Sequence, residues 1–421
     1  MLANKRQMSD LQEQLAILRQ RMRAIEERTA RSAPAFTGEC AEKYETAVPP
    51  WRSHIDEWMP GEEIETGHGK HFETETFYAR HRRHGSADIG SLAELPCDLL
   101  ETISNGAVRD IPPHEWAFLD TETTGLAGGT GTCAFLVGVG RITPEGFHVR
   151  QFFMRDYGEE ASVLDALTRH LAPFRVLITY NGRSFDQPLL ETRYRLNRAR
   201  HPFGRLEHLD LLYGARRLWK LRFDSCRLVE LEQQVLGFER QGDVPGALIP
   251  YIYFEYLRTG EMARLLPLFH HNAIDILTLA CLTGIVPYAF KDPAGAPLRN
   301  GAEMAGLARW LREAGEAEQA RTLFRRAIDA GLPDQILFRT LWDVAALERK
   351  LGCGEAALGI WSDLAAAKNP FRPRALEELA KHYEHREKNH AMALEMTRSA
   401  LALADSPALR KREQRLLRRL L

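Results

Sequence analysis

The sequence predicts an α/β domain built on a mixed sheet, followed by an all-α domain of repeated helix pairs. Two features predict the first part. Apolar segments between about Trp116 and Leu196 read as strand, strand, strand, helix, strand, helix. The first three strands follow one another without a helix, so the sheet opens with antiparallel neighbours and departs from a dinucleotide-binding βαβ unit. A third feature predicts the second part. The segments EAEQARTLFRRAI, CGEAALGIWSDLA and NHAMALEMTRSAL align on Ala320, Ala357 and Ala393, at spacings of 37 and 36 residues. Each is preceded by another amphipathic helix, which is the pattern of stacked helix pairs resembling tetratricopeptide repeats.

Taken in order, residues 1–30 contain Leu11, Leu15, Leu18, Met22 and Ile25 at alternating steps of four and three. That seam predicts a short amphipathic helix, either docked on its own protein or self-associating as a short coiled coil. Residues 31–110 mix prolines, glycines, histidines and isolated aromatics without a period, and read as a partly ordered connecting region. The α/β domain is expected over 111–290. Its strands are expected at Trp116 to Leu119, Thr132 to Ile142, Phe147 to Met154 and Val176 to Tyr180, and its helices at Glu159 to Leu171 and Asp186 to Leu196. The helical repeats fill 300–421.

Composition sets outer limits. A chain of 421 residues is too long for one ordinary core. A net charge of −1 argues against whole-surface capture of nucleic acid, while leaving room for a local basic groove. The six cysteines are scattered, with no pair at metal-ligand spacing, and read as reduced thiols. No signal-peptide core stands at the N-terminus, and no run approaches roughly 18 uninterrupted apolar residues, so a cytoplasmic protein without a membrane partner is expected.

Four acids in three separated motifs carry the chemistry: FLDTETTGL (Asp120, Glu122), TYNGRSFDQPLL (Asp186) and HHNAIDILTL (Asp275). Each lies in an apolar run, where a lone charge is expensive to desolvate and a divalent cation makes a cluster tolerable. Asp120 and Glu122 alternate on a strand and so share a face. Asp186 stands near a helix start, where it also suits the helix dipole. His271 and Asp275 are four apart on a helix and share a face, whereas His270 points elsewhere. The glycines at 125, 128, 129 and 131 lead into a strand with no lysine after them, which excludes a phosphate-binding loop. Between residues 191 and 230, ten arginines and lysines oppose five acids, a local excess that suits phosphates or else a solvated helix face. Asp210, in HLDLL, is placed to support a ligating acid from behind.

The residues DTETTGL, YNGRSFD and HHNAID resemble the three motifs of the DEDD superfamily of 3′–5′ exonucleases, which have a ribonuclease-H-like fold. The stretches DLLYGARRLWK, GFERQGDVPG, PYIYFEYLRTGE and HNAIDILTL are similar, more specifically, to the bacterial YprB-type family. That family joins a ribonuclease-H-like domain to tetratricopeptide-like repeats. The resemblance covers about Glu115 to Pro287 and the tail more loosely. It implies a mixed five-stranded sheet with flanking helices. It also implies metal ligation by Asp120, Glu122, Asp186 and Asp275, with Leu126 against a terminal base and Asn181 close to the substrate. His271 and His270 match the spacings of two different subclasses, and the shared face with Asp275 favours His271. The expected activity is metal-dependent hydrolysis of nucleic acid, DNA or RNA. Asp120, Glu122, Asp186 and Asp275 would hold two Mg²⁺ or Mn²⁺ about 4 Å apart, and His271 would orient or deprotonate water. Two other readings share these residues: a catalytically silent nucleic-acid-binding scaffold, and an endonuclease of the same fold. The repeats would take a protein partner.

Overall fold

The computed structural model describes residues 55–104, 106–125, 131–296, 298 and 300–421. The seam of residues 11–25 lies outside them, as does Leu126. The organising element is β5 (Trp116–Thr123), which pairs antiparallel with β6 (Ala134–Thr143) and parallel with β8 (Val176–Thr179). Its first four residues, Trp-Ala-Phe-Leu, are buried on both faces, as a strand covered by helices on both sides must be. Trp116 and Phe118 face one core, and Ala117 and Leu119 face the other. Outward from β6 come β7 (Gly146–Phe153), β2 (Gly69–Ala79) and β1 (Glu62–Thr66), and beyond β8 comes β9 (Glu207–Asp210).

The sheet therefore has seven strands in the order β1-β2-β7-β6-β5-β8-β9, and the expectation of five is corrected. The extra pair comes from the stretch read as a connecting region. Beside Phe72, three polar residues, His71, Glu73 and Thr74, are buried on β2. The His71 ring lies between Ser162 Oγ at 2.8 Å and Glu73 Oε1 at 2.9 Å, so the strand is satisfied by hydrogen bonds and shows no apolar alternation. A small ribbon of β3 (Arg83–His84) and β4 (Ala87–Asp88) follows.

One face of the sheet carries α1 (Glu160–Leu171) and α2 (Asp186–Leu196), whose Val163, Leu167 and Leu190 pack on Leu119, Phe152 and Leu177. The other face takes the central helix α6 (Leu266–Lys291), with α3 (Leu211–Trp219) beside it. A short turn α4 (Leu228–Leu231) and a helix α5 (Ile249–Thr259) lie between them in the chain. By length and composition α6 could cross a membrane, yet 78% of its most apolar window is buried inside the protein. It is apolar because sheet, α3 and the tail surround it.

Beyond α6 the chain forms antiparallel pairs: α7 (Gly301–Ala314) with α8 (Ala317–Asp329), α9 (Asp334–Lys350) with α10 (Gly354–Ala366), and α11 (Arg372–His382) with α12 (His390–Leu403), then α13 (Pro407–Leu420). Ala320, Ala357 and Ala393 are each the fourth residue of the second helix of a pair, and each is fully buried. The first pair belongs to the core of the α/β domain, because Leu307, Ala308, Leu311, Leu323 and Phe324 lie in one cluster with Trp116, Leu218 and Val286. Gly306 permits this closeness: a Cβ there would stand 2.6 Å from the Arg217 carbonyl oxygen. Arg222 reinforces the contact through Glu303 at 2.6 Å. Residues from α9, α10 and α11 form their own smaller cluster around Trp361.

A chain ending at residue 299 strips the cover from Leu218 and Val286, and each large apolar group so exposed forfeits about 1.5–3 kcal/mol. Residues 1–299 should aggregate or melt well below the full chain, while residues 1–332, which keep α7 and α8, should stay soluble. Size-exclusion chromatography and thermal melting of the two truncations check this, and a well-folded 1–299 would show the tail to be dispensable to the core.

Candidate active site

Past Leu119, β5 leaves the core and delivers Asp120 and Glu122 to the C-terminal edge of the sheet. Asp120 stands opposite Gly138 and Glu122 opposite Leu136, with the register shifting between Glu122 and Thr123. Gly138 lets α6 approach, since a Cβ there would lie 2.2 Å from Asn272 Oδ1 and 2.3 Å from Ile276 Cδ1. Asn272 is fully buried, and its Nδ2 donates to Asp120 Oδ2 at 2.9 Å. Its own Oδ1 accepts from Gln151 Nε2 at 2.9 Å, which fixes the amide's orientation.

One residue earlier on α6, His271 turns its ring toward the acids. Its Nε2 lies 4.0 Å from Glu122 Oε1 and 3.6 Å from Asp275 Oδ2. Its Nδ1 is 2.6 Å from Asp243 Oδ1, which places the ring proton on Nδ1 and leaves Nε2 toward the cluster when the ring is neutral. His270 is exposed and enters no such contact among the described residues.

Asp275 is met by the guanidinium of Arg240, whose Nη2 donates to Asp275 Oδ1. Arg240 Nε donates to Glu232 Oε2 at 2.5 Å, and Nη1 to Asp243 Oδ2 at 3.3 Å. Glu232 is fully buried, accepts from Thr278 Oγ1 at 2.6 Å and stands 3.1 Å from His84 Nε2. A buried carboxylate and a buried guanidinium thus satisfy one another and tie the loop after residue 237 to α6.

Asp186 opens α2, and its Oδ1 accepts from Thr121 Oγ1 at 2.5 Å. Thr121 alternates with Asp120 and Glu122, so Asp186 meets the strand edge at the residue between them. The loop before it depends on Asp210. Asn181 adopts a left-handed backbone with φ of 68° and donates its N–H to Asp210 Oδ1 at 2.8 Å. Arg183 N donates to Asp210 Oδ2 at 3.2 Å, and the same side chain caps α3 through Leu212 N at 3.1 Å. Asp210 therefore shapes the loop and leaves Asp186 to Thr121.

The electrostatics follow from crowding. Burial first, then the charges of Asp275, Glu122 and Asp186, push the Asp120 carboxyl well above the usual carboxylate range. Burial raises Glu122 to about 8 and Asp186 to about 6. Burial opposes the charged form of His271, but Asp275 and Glu122 outweigh it and hold its pKa above the ordinary value. Among the described residues no three carboxylates, imidazoles or thiols converge into a ready-made coordination shell. The donor set is nonetheless hard and oxygen-rich, and its surplus negative charge suits a divalent cation of the Mg²⁺ class. Asp243, Arg240, Glu232 and Asn272 had not been singled out from the sequence. The two loop residues look like ordinary solvated charges there, and Asn272 reads as a spacer between His271 and Asp275.

Comparison with known proteins agrees with this architecture. The RNase_H_2 family model, of the RNase_H superfamily, matches residues 117–286, the span from β5 through most of α6. An uncharacterized protein, YprB of Bacillus subtilis (strain 168), is 33% identical over 349 residues, which cover 80% of this chain and 82% of the relative. The chain belongs to the YprB family and carries a domain of the ribonuclease H superfamily.

Proposed function

We propose that the protein is a metal-dependent nuclease, a 3′–5′ exonuclease that hydrolyses nucleic-acid phosphodiesters with two divalent cations. The observation that carries this reading is the set of crowded acids, Asp120, Glu122 and Asp275, with His271 aimed at them from α6. These three and Asp186 would hold Mg²⁺ or Mn²⁺, which when bound would acidify the attacking water and take up charge on the leaving oxygen. His271 accepts the water's proton at Nε2, and Asp243 on Nδ1 holds the ring and stabilises the imidazolium that results. Asn272 holds Asp120 against the recoil of its neighbours. Polarity rests on motif resemblance, and comparison of 5′- and 3′-labelled oligonucleotides tests it.

Arg240 favours a second reading. Its guanidinium already neutralises Asp275, as it would in a catalytically silent nucleic-acid-binding protein. Incubating the full chain with end-labelled DNA and RNA, with Mn²⁺ or with EDTA, separates the two. Hydrolysis that requires Mn²⁺ supports the first.

Asp120→Asn or Asp275→Asn should abolish Mn²⁺-dependent hydrolysis with the fold retained by circular dichroism; near-normal activity of Asp120→Asn would sink the assignment. His271→Ala should cost on the order of 10²–10⁴ in rate. Asp243→Asn should cost about 10- to 100-fold, and His270→Ala much less than either; the reverse order of the two histidines would transfer the role to His270. A third expectation concerns pH. Because the folded-state pKa of Glu122 lies near 8, above the ordinary 4.5, ionising it destabilises the metal-free fold as pH rises through that window. Glu122→Gln should therefore raise the melting temperature over wild type in EDTA at pH 8. It should bring no gain at pH 4.5, and Mn²⁺ should shrink the difference at pH 8. Differential scanning fluorimetry reads all three conditions.

A further inference from the structure

The ten cations between residues 191 and 230 divide sharply in the structure. Arg193 is held by Glu160, Arg195 by Glu191, Arg217 by Glu313 and Arg222 by Glu303, while Arg205 donates to the carbonyls of Phe174 and Leu171. Arg198, Arg200, Arg216, Lys220 and Arg227 are exposed, with no ion pair among the described residues. Arg198 and Arg200 follow the end of α2, which has run back from the catalytic edge to the opposite edge of the sheet. The other three line one cleft of about 630 Å³, together with Tyr180 and Asn181.

Three features make this cleft more than a solvated face. Arg216 and Lys220 stand one helical turn apart, so they repel unless an anion lies between them. The lip carrying Arg227 is tied down, because Tyr180 Oη donates to the Cys226 carbonyl at 2.5 Å. The floor belongs to the catalytic edge. Ile178 pairs with Phe118 across the parallel ladder, and Asn181 lies three residues beyond the first as Asp120 lies two beyond the second. The side chain of Asn181 is exposed and its amide has no partner among the described residues. Asp224 is the single acid lining the cleft, which leaves an excess of two positive charges.

We propose that this cleft binds the phosphodiester backbone of the nucleic-acid strand on its way to the acid cluster, with Arg216, Lys220 and Arg227 as the phosphate ligands. The inference rests on the hydrolytic reading of the Asp120 edge, but the binding it asserts is measurable without turnover.

The test uses the full chain in EDTA, with fluorescence anisotropy of a fluorescein-labelled single-stranded 20-nucleotide DNA, the matching RNA and the matching duplex. The triple variant Arg216→Gln, Lys220→Gln, Arg227→Gln should lose about 10- to 100-fold in affinity. Its slope of log affinity against log salt should fall by about 2, because each lost phosphate contact removes about 0.7 for a single strand. The control Arg198→Gln, Arg200→Gln should match wild type. Arg216→Lys combined with Lys220→Arg should retain affinity, which separates charge from packing. Hydrolysis of bis(p-nitrophenyl) phosphate with Mn²⁺, a substrate too small to reach the cleft, should be the same in wild type and triple variant. Unchanged affinity and salt slope in the triple variant overturn the proposal while leaving the hydrolytic reading intact. Loss of binding in a protein that hydrolyses neither substrate overturns the hydrolytic reading and leaves the cleft. A preference for the duplex over both single strands would overturn the assignment of a single entering strand.

Discussion

The close contact between α6 and the sheet at Gly138 is what the rest of the site hangs on. With no side chain at that position, the helix sinks until Asn272 and Ile276 touch the backbone of β6. That depth brings the amide of Asn272 to Asp120, and helical geometry then fixes where its neighbours go. His271 and Asp275, one turn apart, converge on Glu122 from the same side. A methyl group at residue 138 would lift the helix and separate all four groups together. The neighbouring glycine at 140 admits Ile276 Cγ2 in the same way, so the depth is set at two successive inward positions.

Depth has an electrostatic cost. Packing carboxylates into the shoulder of a core raises their proton affinity and sets them against one another. The protein meets part of this with its own cation. Arg240 is nearly buried and divides its donors between Glu232 on one side and Asp275 and Asp243 on the other. Either buried partner alone would be strongly destabilising, and together they hold an irregular loop whose apolar anchors are few, Phe238 on the His84 ring and Val244 against the core. The loop then presents Asp243 to His271. One arginine thereby links the neutralisation of an acid to the orientation of the His271 ring.

Much of this was legible in the sequence, and the remainder was hidden for physical reasons. Asp120 and Glu122 share an edge because strand alternation demands it. His271 faces Asp275 because the helical repeat demands it, and both inferences needed only a period. The β1–β2 hairpin was missed because three of the four residues it buries in a row, His71, Glu73 and Thr74, are polar and leave Phe72 without an apolar alternation around it. Arg240 and Asp243 were missed because a charge in a loop looks the same whether it is solvated or folded back on a carboxylate. The ten-cation run was visible as a sum, but which five were already paired depended on acids such as Glu160, Glu303 and Glu313, distant in the chain. The tail's period announced helix pairs and said nothing of what the first pair would cover.

That covering sets how the two halves can diverge. Because α7 completes the core around α3 and α6, its inner face is bound to the α/β domain's packing, and a change at Gly306 or Leu307 must be matched on α3. Beyond α9, whose Val344 and Leu347 still reach the first cluster, the helices pack chiefly on one another, around Trp361 and then in two small clusters at Leu376 and Leu394. Gain, loss or exchange of whole helix pairs is therefore cheap at the distal end of the tail and prohibitive at its root. Length variation among relatives should accumulate in the same gradient, with the proximal pair retained wherever the α/β domain is.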